Sequence, residues 1–216
     1  MSNEAPVISA RGRPADEARQ EEQKRKLMMA TQELMEEKSY KSITIRELGD
    51  KAGVNSAMIR YYFGSKEGLV QASLQNFMSS HFAELQPLLE MERPVKPFIQ
   101  FVSKILNQNA ILARLIHDEI LNDESPLREV IISGFPSRIA QTLPGLIQRE
   151  VHQQQPDIEI NWKYAAFNLM SMLILPYMGA PVRKMAWGIT DEELVAPEWT
   201  DHVYQQFMSG CLNREH

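Results

Sequence analysis

The sequence predicts an all-α protein, and three observations lead to this fold class. Apolar residues recur at the helical spacing of three and four positions along most of the chain, and no segment alternates strongly as a half-buried strand does. Glycines and prolines lie between these amphipathic segments, where they end helices. The chain has 216 residues, of which 44% are hydrophobic and 24% charged, so it can form one or two domains with a core of their own.

Residues 1–19 show no helical period and include Arg11 and Arg13. We predict a flexible basic arm for this segment. Two interpretations stay open. The segment is either a tail without a function, or an arm whose two arginines enter the minor groove of DNA beside a domain that binds the major groove.

Residues 20–66 are predicted to form a three-helix domain. The first helix covers residues 20–38, and its apolar face consists of Leu27, Met28, Thr31, Leu34 and Met35.

The next stretch has the pattern of a helix-turn-helix. Thr44 can cap a helix that ends at Gly53, and Asn55 or Ser56 can cap the helix that follows. Gly49 lies four residues before Gly53, where two helices that cross steeply leave almost no room for a side chain. The second helix of such a motif enters the major groove of DNA.

Four side chains of this second helix are predicted to face outward: Ser56, Ala57, Arg60 and Tyr61. Arg60 is a candidate for a base contact, because a guanidinium can bond O6 and N7 of guanine together. A phosphate contact, which carries no sequence information, is an equal alternative. Lys66 begins the following helix, where its charge and the helix dipole both favour a phosphate.

Residues 27–69 resemble the DNA-binding domain of the TetR family of bacterial transcription regulators. The resemblance rests on the combined spacing of Leu27, Ala30, Leu34, Tyr40, Thr44, Ala52-Gly53-Val54, Tyr61, Phe63, Ser65-Lys66-Glu67 and Leu69. Ser39 and Gly49 stand where the family usually has Gly and Ala. Arg60 stands where an aromatic residue is usual, so the operator sequence stays open.

The resemblance implies a homodimer that binds a near-palindromic DNA operator and regulates transcription, usually as a repressor. The DNA contacts that we expect involve Arg11, Arg13, Thr44, Asn55, Ser56, Ala57, Arg60, Tyr61, Tyr62 and Lys66. Tyr61 and Tyr62 match positions that usually bind phosphate in the family. Consecutive residues cannot both face the DNA, so one of them is expected to pack against the protein.

Residues 67–216 are predicted to form a helical ligand-binding and dimerisation domain. After a long helix that ends at Pro87, the helical segments are residues 95–107, 110–121, 127–155 (with breaks at 134–136 and 144–145), 162–178 and 198–212. Between the last two, residues 179–188 are predicted to be a loop and residues 190–193 a capping box. The segment 162–178 is apolar all round, so we expect it to form a four-helix bundle with 198–212 and a second subunit.

Twelve methionines and eight phenylalanines suggest a soft pocket for a small apolar or aromatic effector. The candidate ligand-binding residues are Phe101, His117, Phe167, Asn168 and Met172. Asn168 is included because a polar amide within an apolar helix needs a partner. The alternative for each of these residues is an ordinary place in a helical core.

The sequence lacks the motifs of the common catalytic and cofactor sites, namely a P-loop, a GxGxxG turn, a GxSxG elbow and HExxH. The single cysteine, Cys211, cannot form a zinc cluster or an intrachain disulfide, and it fits a reducing cytoplasm. No apolar run approaches a membrane span, and no signal-peptide core is present. We therefore expect a cytoplasmic protein that is not an enzyme, with no cofactor and no metal. The alternative is a helical small-molecule-binding protein or enzyme that no longer binds DNA.

The net charge of −5 does not argue against DNA binding, because the acidity is unevenly distributed. Residues 1–70 carry 12 Lys and Arg against 11 Asp and Glu, whereas residues 71–216 carry 11 against 17. Local placement of positive charge, rather than the total, decides phosphate binding.

Overall fold

A computed structural model describes residues 13–212 of the chain, with side chains from Asp16 onward. Within these residues the structure is helical and has no strand, which confirms the all-α prediction. The helices α1 to α11 span Arg13–Glu37, Ile45–Ala52, Ala57–Phe63, Lys66–Leu89, Val95–Gln108, Ala110–Leu121, Arg128–Ser133, Phe135–His152, Trp162–Met178, Ala180–Trp187 and Pro197–Leu212. Single 3₁₀ turns, Tyr40–Ser42 and Glu193–Val195, lie before α2 and α11.

The chain divides into two compact units between Ser73 and Leu74. Unit 1 contains α1 to α3 and the start of α4, and unit 2 contains the rest of α4 and α5 to α11. The boundary predicted between residues 66 and 67 lies at the start of α4, whereas the division found in the contacts lies inside this helix.

Helix α1 begins at Arg13, so the prediction of an irregular arm over residues 1–19 is wrong for residues 13–19. A proline such as Pro14 is tolerated in the first turn of a helix, and the negative charge of Asp16 is stabilised there by the positive end of the helix dipole. The residues that follow are exposed to solvent. A helix end that buries nothing has no apolar period, which is why the pattern did not reveal it.

Each of the four helices contributes at least one fully buried side chain to the core of unit 1, among them Leu27, Leu48, Ile59 and Leu69. Burying such a side chain stabilises a fold by roughly 1.5–3 kcal/mol. Helix α2 ends at Gly53, whose φ of +62° is a left-handed conformation that glycine adopts without strain.

Gly49 confirms the close approach that the sequence predicts between α2 and the start of α3. A Cβ built at Gly49 would lie 2.9 Å from the carbonyl oxygen of Val54 and 3.0 Å from Cβ of Ser56. The backbone N–H of Val54 also donates to the carbonyl of Gly49, with an N–O distance of 3.0 Å. The two segments therefore meet backbone to backbone.

Unit 2 packs α5, α8, α9 and α11 around a shared apolar core. A buried carboxylate also joins three of these helices. Glu150 of α8 accepts hydrogen bonds from the N–H of Val95 at 2.7 Å and from the hydroxyl of Tyr204 at 2.8 Å. Burial, together with the hydrogen bond to Glu150, raises the pKa of Tyr204 to about 12. Because the first N–H groups of a helix have no partner within it, Glu150 caps α5 from a neighbouring helix.

Three predictions about unit 2 are wrong, namely the end of one helix, a break within another and a loop, and one capping motif is confirmed. Helix α4 continues past Pro87, and α8 runs through Pro144. Residues 180–187 form α10 instead of a loop, with a proline in the first turn. A proline removes one hydrogen bond, and packing of the surrounding turns can retain the helix in spite of this loss. At the predicted capping box, the N–H of Thr190 donates to Oε2 of Glu193 at 2.6 Å.

We predict that Gly49→Ala destabilises the protein, although alanine is the better helix former. The added methyl group must displace the backbone of Val54 or Ser56, which costs about 1–3 kcal/mol, against a gain in helix propensity of about 1 kcal/mol. The free energy of unfolding, measured by urea denaturation, should fall by about 1 kcal/mol. Gly145→Ala is the control, since a Cβ there meets nothing within 4 Å and should leave stability unchanged or higher. A Gly49→Ala protein more stable than wild type would contradict the backbone contact.

Candidate nucleic-acid interface

A capping box fixes the start of α2. Oγ1 of Thr44 accepts a hydrogen bond from the N–H of Glu47 at 3.2 Å, and the N–H of Thr44 donates to Oε2 of Glu47 at 2.8 Å. Lys38, just after α1, donates to Oε1 of the same carboxylate at 2.6 Å. The lysine and the two groups of Thr44 lower the pKa of Glu47 to about 2. Thr44, a predicted DNA contact, therefore belongs to a network that joins the end of α1 to the start of α2.

Asn55 caps α3. Its Oδ1 accepts a hydrogen bond from the N–H of Ala57 at 2.9 Å, whereas Ser56, at the N-cap position, makes no side-chain capping bond. Of the two capping residues that the sequence allows, the structure selects Asn55. Asn55 and Ala57 are exposed and Ser56 is half-buried, so this end of α3 is open to a phosphate group.

Arg60 and Tyr61 form the exposed face of α3. Tyr61 is 71% exposed, and within the described part of the chain the guanidinium of Arg60 has no hydrogen bond or ion pair. Ile59, on the opposite face, is fully buried. One face of the helix is therefore buried in the core, and the opposite face presents the guanidinium of Arg60 and the phenol of Tyr61 to solvent. Such groups bond base edges and phosphates.

Tyr62 packs against α1 and not toward the exposed face. Its hydroxyl donates to Oε1 of Gln23 at 2.6 Å, and Nζ of Lys24 lies 5.7 Å from the centre of its ring. The side chain is half-buried, unlike that of Tyr61. Of the two consecutive tyrosines, Tyr61 is thus available to DNA, and Tyr62 ties α3 to α1.

Lys66, which the sequence suggests as a phosphate contact, is held by backbone carbonyl groups. Its Nζ donates to the carbonyl oxygens of Tyr40 at 3.2 Å, Lys41 at 3.3 Å and Ile43 at 3.1 Å. A lysine ammonium has three N–H donors, and this arrangement supplies one acceptor for each.

The sequence pattern did not single out Arg46, yet the structure makes it a candidate for a DNA contact. Its side chain is 91% exposed in the first turn of α2, and its Nε lies 3.7 Å from Oδ2 of Asp50. Exposed ion pairs of this kind are weak. A signal was available in its position, because Arg46 lies in the first turn of α2 and the first helix of such a motif crosses the DNA backbone.

Lys24 and Arg25 of α1 are already paired, and residues 1–12 lie outside the described residues. Lys24 and Arg25 each bond a glutamate three residues earlier, both at 2.7 Å. Arg11 belongs to the part of the chain that the structure does not describe, as does the side chain of Arg13. The minor-groove contact therefore stays a prediction.

The five residues predicted to bind a ligand do not line a common interior pocket. Phe101 and Met172 are partly buried and pack on the core of unit 2, and His117 is half-buried on α6. Phe167 and Asn168 are exposed on the outer face of α9, so in the single chain solvent can satisfy the amide of Asn168. Helix α9 is apolar all round, and its pattern therefore does not indicate which face turns inward. The side chains that face the core are Ala165, Ala166, Leu169, Leu173 and Tyr177.

Two depressions lie on the surface of unit 2. One, with a volume of about 260 Å³, is lined by residues of α4, α7 and α8, including Met78, Phe135 and Arg138. The other, of about 480 Å³, is lined by Asp123, Arg128 and neighbours around α7. Over residues 13–212, no three His, Cys, Asp or Glu side chains lie close enough together to hold a metal ion. In the same residues no single helix is long and apolar enough to cross a membrane; α9 and α10 meet this criterion only jointly, with a bend of 76° between them.

Two comparisons of the sequence with known proteins bear on the resemblance to the TetR family. Residues 27–73 match the family model of the bacterial regulatory proteins of the tetR family. Over 161 residues the chain is 24% identical to the probable HTH-type transcriptional regulator YttP of Bacillus subtilis (strain 168), which covers 72% of this chain and 77% of YttP. Residues 27–73 therefore form a DNA-binding domain of the tetR type. The resemblance inferred from the spacing of residues 27–69 is thereby confirmed.

Solved structures extend the likeness from the DNA-binding domain of this chain to unit 2. The fatty acid degradation regulator FadR from Bacillus halodurans has a TM-score of 0.70 and 18% identity, and the match covers 89% of this chain and 97% of FadR. FadR from Bacillus subtilis, solved in complex with stearoyl-CoA, has a TM-score of 0.69 and 17% identity, with coverage of 86% and 98%. At such identities the likeness shows a shared fold.

The predicted class of function is confirmed with the family: TetR-family proteins are DNA-binding regulators of transcription. The family consists in general of regulators and not of enzymes.

Glu47 gives the capping box a testable dependence on pH. Its pKa is lowered from 4.5 to about 2 in the folded protein, so its ionised form stabilises the fold fully above about pH 4.5, and this stabilisation is lost as the pH falls through 2. We predict that wild type and Glu47→Gln differ most in free energy of unfolding near neutral pH and converge at the acid end. Urea denaturation across this pH range measures the difference, with Glu36→Gln on the exposed face of α1 as the control. A difference that stays constant with pH would contradict the role of the ionised carboxylate.

Proposed function

We propose that this TetR-family protein is a homodimeric repressor whose affinity for its DNA operator is controlled by a small ligand. The observation that carries the proposal is α3, which is locked in the core by Ile59 and presents Arg60 and Tyr61 to solvent. In a helix-turn-helix this helix enters the major groove, and two copies related by a two-fold axis read the halves of a near-palindromic site.

The DNA contacts that we propose fall into two groups. Arg60 reads a base edge, since its guanidinium is free to approach guanine O6 and N7. Phosphates are bound by Tyr61, by Arg46, and by the starts of α2 and α3 at Thr44 and Asn55 to Ala57, where the positive end of each helix dipole favours an anion. Residues 1–12 precede α1, and we propose that they reach the minor groove through Arg11.

The outer face of α9 supports dimerisation. Tyr164, Phe167 and Leu175 are more than two-thirds exposed in the single chain and lie on one side of the helix. Large apolar side chains grouped in this way mark interaction surfaces. We propose that this face packs against its own copy in a second subunit, with α11 beside it, as a four-helix bundle.

The effector is proposed to be a small apolar or aromatic molecule, or an acyl group, that binds in unit 2. The stearoyl-CoA bound to FadR of Bacillus subtilis supports this class. The depression at Met78 has a volume of about 260 Å³, and ligand sites usually occupy roughly 300–1,000 Å³. Binding therefore requires side chains to move, which methionines permit. Such a ligand changes operator affinity only by binding the two states of the protein with different strength.

We further propose that the protein acts in the cytoplasm and has no catalytic activity. The family of transcription regulators supports both statements.

The first test of the proposed function is a mobility-shift titration against the DNA upstream of the protein's own gene. We expect a sequence-specific band that survives competition by unrelated DNA and weakens steeply with salt, because bound cations are released from the phosphates. A band that unrelated DNA abolishes, or no band at any salt concentration, would refute operator binding.

Arg60→Ala is predicted to reduce discrimination among operators more than it reduces overall affinity. At one base pair of each half-site, the preference of about 1–3 kcal/mol that a bidentate contact supplies should disappear. Titrations against a panel of single-base operator variants measure this preference. Arg46→Ala serves as the matched control, since it should weaken all variants alike. Uniform weakening by Arg60→Ala would show that Arg60 contacts phosphate instead.

Leu175→Glu is predicted to convert the dimer to a monomer and to lower operator affinity, because a carboxylate cannot be buried in the α9 interface without a partner. Sedimentation equilibrium measures the mass. Leu121→Glu is the matched control, because Leu121 is 69% exposed at the end of α6 and Leu175 is 68% exposed on α9. If both variants remain dimers, the α9 face is not the interface.

A further inference from the structure

The three carbonyl groups around Lys66 come from one short segment of backbone. Tyr40, Lys41 and Ile43 belong to or directly follow the 3₁₀ turn Tyr40–Ser42, and their oxygens lie 3.1–3.3 Å from Nζ. The carbonyl oxygen of Tyr40 also accepts a hydrogen bond from the N–H of Ile43 at 3.2 Å. The carbonyl groups at the end of a helical turn form its negative end, where a cation is favoured. Lys66 therefore caps this turn from the first residue of α4.

The turn that Lys66 caps leads directly into α2. The carbonyl of Ile43 bonds Lys66, while the next N–H in the chain, that of Thr44, bonds Glu47 in the capping box. One peptide group is thus held on its oxygen side by α4 and on its nitrogen side by α2. The side chain of Ile43 is buried beneath it. The start of α2 is consequently fixed to the start of α4.

A phosphate contact by Lys66 would break this arrangement. The ammonium has three donors and three acceptors, so a phosphate oxygen must displace at least one carbonyl group. The displaced carbonyl would then lose its charged partner at the loop that sets the position of α2.

We propose that Lys66 is a positioning residue of the DNA-binding unit, which holds the turn before α2 in the free and the operator-bound protein and makes no contact with phosphate. This inference rests on the proposed operator binding. It goes beyond the proposed operator binding by assigning Lys66, an expected phosphate contact, to the geometry of the helix-turn-helix and not to the charge of the interface. Arg46 and Tyr61 remain the exposed phosphate candidates.

The salt dependence of operator binding separates the two roles of Lys66. We expect Lys66→Met to bind the operator about tenfold or more weakly, since three carbonyl groups lose a charged partner. The slope of log affinity against log salt should equal that of wild type. If Lys66 binds phosphate in each half-site, the slope of the dimer should fall by about 1.8, or about 0.9 for each lost contact. A fall of that size, or wild-type affinity in Lys66→Met, would overturn the inference.

Lys66→Arg provides the second arm and remains informative if Lys66→Met does not fold. Arginine binds phosphate well, but its planar guanidinium does not fit three carbonyl groups that converge on one nitrogen. We expect Lys66→Arg to bind the operator weakly with an unchanged salt slope, at a temperature where circular dichroism shows it folded. Hydrogen exchange at residues 40–47 should be faster than in wild type. Full operator affinity in Lys66→Arg would overturn the inference, whereas wild-type protein that fails to bind would refute operator binding itself.

Discussion

The DNA-binding unit depends on one backbone contact, between Gly49 of α2 and the turn at Val54 and Ser56. There is no space for a Cβ at this point, and a backbone hydrogen bond of 3.0 Å joins the two segments. Because backbone meets backbone, the crossing of α2 and α3 cannot vary with the rotamer of a side chain. The left-handed Gly53 closes the turn between them. With the crossing fixed, Ile59 is directed into the core, and Arg60 and Tyr61 are directed away from it.

Hydrogen bonds from polar side chains add to this backbone contact. In both units they stabilise the ends of helices. In unit 1, Glu47, Asn55 and Lys66 satisfy groups at the start of α2, the start of α3 and the turn before α2. In unit 2, the carboxylate of Glu150 accepts a hydrogen bond from the first N–H group of α5. Helix α4 contributes to both sets of contacts: Lys66 lies at its first residue, and the fully buried Leu85 lies in the core of unit 2.

The sequence predicted most of the DNA-binding unit because its signals are local. Helix caps, a turn glycine and apolar spacing each depend on a few neighbouring residues, so Thr44, Gly53 and Ile59 were assigned correctly. Lys66 was harder to interpret, since its three acceptors lie more than twenty residues earlier in the chain. The outer face of α9 was not predictable from periodicity, because a helix that is apolar all round has no distinguishable inner side. The same ambiguity affects two of the candidate ligand-binding residues, Phe167 and Asn168, which lie on the exposed side of α9.

The most direct measurement of the central claim is the chemical protection of guanine N7 in the operator, which dimethyl sulfate methylates only where the major groove is open. If two copies of α3 occupy successive major grooves, protected guanines should appear in two symmetric half-sites about one helical turn apart, with centres separated by roughly 34–36 Å along the DNA. Arg60→Ala should restore methylation at one guanine in each half-site. Protection that is absent, confined to a single half-site or unaffected by Arg60→Ala would contradict a dimer that reads its operator through Arg60 of α3.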